Sequence, residues 1–98
     1  MARRVIWTKT ANDDRIEILE FWIDRTKSHT YSRKLNKLFK EIIQLILDYP
    51  EIGRLTDEQN IRVKVVSDYL LFYEIVDMDI VILKIWDSRQ NPQTFQIK

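Results

Sequence analysis

The side chains of this sequence that could do chemistry are basic and aromatic, and they lie in its second half. They are Arg54, Arg62, Lys64, Tyr69, Tyr73, Lys84 and Arg89. Arginine and lysine bind RNA phosphates, position a 2′-hydroxyl for attack on the adjacent phosphate and stabilise the charge of a pentacoordinate phosphorus. They are poor general bases unless burial or neighbouring cations lower their pKa. Ordinary surface charge on a half-exposed sheet is the alternative interpretation of the same residues.

Residue counts exclude several other kinds of catalytic site. The sequence has no cysteine, so neither a disulfide nor a thiolate nucleophile or metal ligand is possible. Its single histidine, His29, cannot form a histidine-rich zinc site. Its single glycine, Gly53, excludes a glycine-rich phosphate loop. We therefore expect no metal, no small-molecule cofactor and no hydrolase of the serine or cysteine type.

Length and composition are those of one small globular domain. The 98 residues, 45% of them hydrophobic, fit a single domain over residues 1–98. No apolar run approaches the length of a membrane span, and the N-terminus lacks the apolar region of a secretory signal. We therefore expect a cytoplasmic protein with no membrane partner.

A run of basic residues with no acidic residue among them occupies positions 25–40. Its members are Arg25, Lys27, Arg33, Lys34, Lys37 and Lys40. The net charge of +1 conceals this local excess. A solvated helix face is the simpler interpretation, and contact with a polyanion is the alternative.

Hydrophobic periodicity predicts a strand over residues 5–8 and an amphipathic helix over residues 11–27. The apolar stripe of this helix is formed by Ile16, Leu19 and Ile23, with Ile18 and Trp22 beside it. Thr8 or Thr10 is expected to cap the helix. Asp13 and Asp14 suit its first turn, where free N–H groups favour negative charge.

A second amphipathic helix is predicted over residues 31–48. Pro50 ends it, because the residue before a proline is pushed out of helical geometry. Residues 51–60 form a polar loop, in which Gly53 is expected to supply a turn with positive φ.

Three β-branched-rich runs predict an antiparallel meander over residues 61–66, 69–76 and 80–86. The breaks between them are short enough for hairpin turns. The fold class is α+β, with both helices covering one face of the sheet. Alternation along the strands does not fix which face is open, because a one-residue register shift inverts it, and our working choice places Arg62, Lys64 and Lys84 on the open face.

The order of these elements resembles the RelE/ParE superfamily of bacterial type II toxins across nearly the whole chain. The resemblance rests on the Tyr49-Pro50-x-x-Gly53 loop, the strand carrying Arg62, the Tyr69…Tyr73 strand and the Trp86-Asp87-Ser88-Arg89 ending before Pro92. It implies a small toxin that is held inactive by a cognate antitoxin.

The superfamily has two kinds of target. RelE-like members cleave mRNA in the ribosomal A site without a metal, and ParE-like members inhibit DNA gyrase without being nucleases. Growth arrest by ribosome-associated mRNA cleavage is the first expectation, with Arg62, Lys64 and Arg89 as catalytic residues. Arg54, Tyr73, Lys84 and Phe95 are expected to bind the target.

Two alternatives remain open beside mRNA cleavage. Phe95 can stack on a base but cannot transfer a proton, and RelE-like nucleases often place a tyrosine or histidine near the C-terminus. This difference favours a gyrase inhibitor, and a domain that only binds its partner is the other alternative. The antitoxin is expected to lay an amphipathic segment on the helices or along a sheet edge. Ile18, Phe21 and Trp22 are candidates for that surface, with core packing as their alternative role.

Overall fold

The computed structural model describes residues 3–89 and has an α+β fold. The elements in chain order are β1 (Val5–Trp7), α1 (Lys9–Thr26), α2 (Thr30–Asp48), β2 (Arg54–Leu55), β3 (Ile61–Val66), β4 (Tyr69–Val76) and β5 (Asp79–Asp87). They form one five-stranded sheet in the order β1-β5-β4-β3-β2. The predicted strand, helical hairpin and three-stranded meander are confirmed. Neither described helix is long and apolar enough to cross a membrane.

Two short strands extend the predicted meander at its edges. β1 pairs in parallel with β5, and β2 pairs antiparallel with β3. Next to β1, Arg4 donates two hydrogen bonds to the Asp79 carboxylate, from Nε at 3.2 Å and from Nη2 at 2.9 Å. The sequence predicted β1 but not its partner, and it assigned β2 to a loop.

Helix α1 begins at Lys9, two residues before the predicted start. The Thr8 side chain caps it by accepting a hydrogen bond from the Ala11 amide (3.1 Å), as predicted. Because of the earlier start, no acidic residue lies in the first turn, so the role predicted for Asp13 and Asp14 is wrong. Asp13 pairs instead with Lys9, and Asp14 reaches β5.

The main core lies between the helices and one face of the sheet. Its fully buried side chains include Leu35, Phe39 and Ile46 of α2, Leu71 and Tyr73 of β4, and Ile80 and Ile82 of β5. From α1, this core receives Ala11, Ile18, Leu19 and Trp22. Ile16 of the predicted stripe is 43% exposed, because the packed face of α1 is rotated toward Ile18 and Trp22.

The sheet register corrects the predicted direction of two basic side chains. Residues directly opposite each other in a sheet share a face. Arg62 lies opposite Tyr73, and Lys64 lies opposite Leu71, so both basic residues are on the helix-covered side. Placing them on the open face was therefore wrong. Lys84 lies opposite Phe72 on that face, but its side chain is only 16% exposed and is paired with Asp14 instead of projecting into solvent.

A second apolar cluster explains why Arg62 and Lys64 were placed on the wrong face of the sheet. Ile61, Val63 and Phe72 are buried on the face away from the helices, and Leu70, Leu83 and Trp86 pack against them. Apolar residues therefore occupy both faces of the sheet, and alternation along β3 cannot identify the face that the helices cover.

Gly53 is required for close packing rather than for an unusual backbone angle. No glycine has a positive φ in the part of the chain that the structure describes, so the predicted turn is wrong. A Cβ atom at position 53 would lie 2.6 Å from the Tyr73 hydroxyl oxygen. Only glycine lets the loop approach this ring.

Candidate functional site

The basic and aromatic side chains predicted to form one site fall into separate groups. Arg62 lies opposite Tyr73 in the middle of β4, whereas Tyr69, the first residue of β4, lies opposite Asp87. Four residues along a strand span about 13 Å. Arg89 follows β5 beyond Asp87 and so belongs to the Tyr69 end. The proposed catalytic arginines therefore do not face one common phosphate position.

Arg62 and Tyr73 hold the loop between α2 and β2. Arg62 Nη1 donates to the carbonyl oxygens of Glu51 (3.1 Å) and Gly53 (2.8 Å). The Tyr73 hydroxyl donates to the Pro50 carbonyl (2.7 Å) and accepts from the Gly53 amide (2.9 Å). Together the two side chains satisfy four backbone groups of a loop that has no regular structure of its own.

This arrangement limits what Arg62 and Tyr73 can do chemically. Burial raises the pKa of Tyr73, so its hydroxyl keeps its proton at neutral pH. That proton is already donated to Pro50, and the Arg62 guanidinium is held by two carbonyls. Neither group is placed to remove a proton from a ribose hydroxyl.

Arg89 is paired with Asp87 at the end of β5. Its Nε and Nη2 donate to the two carboxylate oxygens at 2.9 and 2.8 Å. The hydrogen bonds from Arg89 lower the pKa of Asp87, and those to Asp87 raise the pKa of Arg89. The Arg89 side chain is still 53% exposed. Exposed ion pairs are worth about 0–1 kcal/mol, so a target could compete for this guanidinium.

Trp22 and Tyr69 connect α1 to the sheet beside Arg89. Trp22 Nε1 donates to the Tyr69 hydroxyl at 2.7 Å, and the indole contacts the Tyr31 ring edge-on at 4.7 Å. The Arg89 guanidinium lies 6.0 Å from the centre of the indole ring. Burial raises the pKa of Tyr69. Trp22 thus packs against the main core and makes one hydrogen bond, to the Tyr69 hydroxyl.

The three residues predicted to bind the antitoxin differ in exposure. Ile18 and Trp22 are partly buried against the main core, whereas Phe21 is 48% exposed and meets Trp22 edge-on at 5.2 Å. Core packing therefore accounts for most contacts of the Trp22 side chain, whereas the Phe21 ring is exposed at the surface.

A groove runs between α1 and the second half of β5, and we call it the α1–β5 groove. It consists of two adjoining depressions of about 280 and 240 Å³. Both depressions are lined by Glu17, Ile18 and Asp87. Phe21 and Tyr69 close one end, and Asp14 and Lys84 lie at the other.

Asp14 is the residue of this region that the sequence misassigned. Its Oδ2 accepts from the Ile85 amide at 3.2 Å and from Lys84 Nζ at 3.4 Å. β1 pairs with β5 only as far as Ile82, so Asp14 covers a backbone donor beyond the paired part. An acidic pair near a helix start is typical of N-terminal turns, and nothing local indicates the long-range contact.

The remaining predicted site residues lie apart from the α1–β5 groove. Arg54 is exposed on the edge strand β2, and Lys64 is partly buried on β3. Lys84 is 16% exposed and paired with Asp14. Phe95 lies outside the described residues. Among residues 3–89, no cluster of His, Asp or Glu is arranged to hold a metal ion.

The comparisons with known proteins give one family match and one similar fold. The family model described as the ParE toxin of the type II toxin–antitoxin system ParDE matches residues 5–92. A solved structure of the chromosomal ParDE system from P. aeruginosa is similar, with a TM-score of 0.77 and 16% identity over 88% of this chain and 96% of that chain. This likeness confirms the RelE/ParE-like fold. Comparison with curated protein sequences gives no match.

Proposed function

We propose that this chain, which belongs to the ParE toxin family of type II toxin–antitoxin systems, arrests bacterial growth by inhibiting DNA gyrase. The observation that carries the proposal is the family match over residues 5–92. Within the superfamily, gyrase inhibition is the activity of the ParE-like branch. mRNA cleavage is the activity of the other branch and is the competing hypothesis.

The chemistry of the described residues also favours a binding toxin over a nuclease. RNA cleavage requires a group that removes the 2′-hydroxyl proton and a cation that faces the same phosphate. Arg62 and Tyr73 hold the loop at residues 50–53, whereas Arg89 lies near Tyr69, at the start of β4. A toxin that acts by binding needs an exposed surface but no proton-transfer group.

We further propose that the α1–β5 groove receives the antitoxin. Ile18 lines the groove, and the exposed ring of Phe21 extends its apolar surface along α1. An amphipathic segment can bury an apolar side chain against both residues. Glu17, which is exposed beside them, favours a basic side chain next to that apolar anchor.

Two measurements in the same induced cells test gyrase inhibition against mRNA cleavage. A gyrase inhibitor is expected to activate the SOS response while the 5′ ends of cellular mRNAs stay unchanged. Primer extension on abundant mRNAs measures the second quantity. New cuts within codons, without an SOS response, would refute gyrase inhibition and support the nuclease.

A further inference from the structure

Helix α2 presents a basic surface that the features described above do not use. We call this surface the α2 basic face, and its members are Arg33, Lys34, Lys37 and Lys40. All four side chains are exposed. At 100° and 1.5 Å per residue, they lie within about 120° of the helix circumference and along about 10 Å of its axis. Glu41 is the one acidic residue beside them.

Among the residues that the structure describes, these four cations have no internal partners, unlike several other charged groups. Several basic residues elsewhere pair with carboxylates, as in Arg4–Asp79 and Lys9–Asp13. Within residues 3–89, none of the four α2 side chains takes part in an ion pair or a side-chain hydrogen bond. The chain as a whole carries only +1, so the excess positive charge is local.

The rest of the α2 surface indicates which kind of partner fits. No large apolar side chain of α2 is exposed. A protein partner would find no apolar or aromatic anchor there, although such anchors supply most of the binding energy at protein interfaces. Single-stranded nucleic acid would lack an aromatic platform for its bases, since Tyr31 is packed against Trp22. Duplex nucleic acid needs only cations for its phosphates.

We propose that the α2 basic face binds the phosphate backbone of duplex DNA without reading its sequence. The choice of DNA over another duplex rests on the proposed function, because gyrase holds duplex DNA. Lysine and arginine contacts to phosphates release counterions, and this release supplies the affinity. The contact would place the toxin against the DNA of its target rather than against the enzyme alone.

Binding of the purified full chain to a short fluorescent DNA duplex, measured by anisotropy at several salt concentrations, tests the proposal. Four phosphate contacts predict that raising the salt from 50 to 200 mM weakens binding by about 150-fold. In the variant K34Q/K37Q/K40Q one contact remains, and the same change should weaken its residual binding by only about 3–4-fold.

A variant with the same loss of charge elsewhere provides the matched control. R4Q/K9Q/R25Q also removes three positive charges but leaves the α2 basic face intact, and it should keep the wild-type salt dependence. Circular dichroism establishes that both variants are folded. Absence of duplex binding at low salt, equal losses in the two variants, or tighter binding to an RNA duplex would overturn the proposal. So would binding of the α2 basic face to an acidic peptide in preference to DNA.

The binding assay contains no gyrase, so its outcome does not depend on inhibition of that enzyme. Salt-dependent DNA binding by a chain that fails to inhibit supercoiling would refute only the proposed function. The opposite result is that the wild type does not bind DNA, while the wild type and K34Q/K37Q/K40Q inhibit supercoiling equally. That result would refute only the DNA contact.

Discussion

Replacing Tyr73 with phenylalanine removes one hydroxyl group and keeps the volume of the buried ring. The hydroxyl donates to Pro50 and accepts from the Gly53 amide. Phenylalanine leaves both backbone groups without a partner, at a cost of about 1–3 kcal/mol for each group that stays buried. Because the Pro50 carbonyl is only partly buried, we expect a total loss of about 2–4 kcal/mol of unfolding free energy. Domains have about 5–15 kcal/mol in all.

Urea unfolding followed by tryptophan fluorescence measures this loss. With a urea m-value of about 1.5 kcal/mol per molar, the midpoint of Tyr73→Phe should fall by roughly 1–3 M. Tyr49→Phe is the matched control, because Tyr49 is 64% exposed. Its unfolding free energy should stay within about 0.5 kcal/mol of the wild type.

A double-mutant cycle tests whether Arg62 and Tyr73 act on the same loop. Both side chains hold residues 50–53, so Arg62→Ala and Tyr73→Phe should be non-additive, with a coupling of about 0.5–3 kcal/mol. If Tyr73→Phe were as stable as Tyr49→Phe, the loop would not depend on this hydroxyl. The structural role that we assign to Arg62 would then lose its basis.

Three further predictions concern the other end of the sheet and the α1–β5 groove. Asp14→Ala leaves the Lys84 ammonium, whose side chain is 16% exposed, without its carboxylate partner, so the free energy of unfolding should fall by about 2–4 kcal/mol. Hydrogen exchange at the Ile85 amide, which loses its acceptor, should become faster and gives the site-specific measurement. Asp87→Asn should destabilise the chain at neutral pH. Because the pKa of Asp87 is lowered in the folded state, the difference in unfolding free energy between wild type and variant should persist above about pH 4 and vanish as the pH falls through the folded pKa. Urea unfolding at several pH values measures this difference. Phe21→Asp should weaken antitoxin binding by at least tenfold in calorimetry with little change in stability, since the ring is 48% exposed; unchanged affinity would exclude the groove as the docking surface.

Local patterns predicted the elements of this fold because each one is encoded by neighbouring residues. Helix α2 follows from apolar residues three and four apart, and the meander follows from β-branched runs with short breaks. The pairing of β1 with β5 joins residues about 75 positions apart in sequence, as Arg4 and Asp79 show. No local pattern specifies such a contact, and β2 is too short to have a period.

The predicted site shows a different limit of sequence reasoning. Arg62 was selected as a catalytic residue because arginine binds phosphate, but its guanidinium binds two backbone carbonyls of the chain itself. Residue type gives the chemistry that a side chain can perform, whereas burial and partners decide which of its uses occurs. The Gly53–Tyr73 contact, which makes the loop depend on glycine, likewise appears only when β4 is placed beside the loop.

Inhibition of DNA supercoiling by purified gyrase tests the central claim most directly. Relaxed plasmid is incubated with gyrase, ATP and increasing amounts of the chain. The variant Ile46→Asp, which places a charge at a fully buried position, serves as the unfolded control. We expect the wild type to block supercoiling, the control to have no effect, and the antitoxin to restore activity. Full supercoiling in the presence of excess folded toxin would contradict the account.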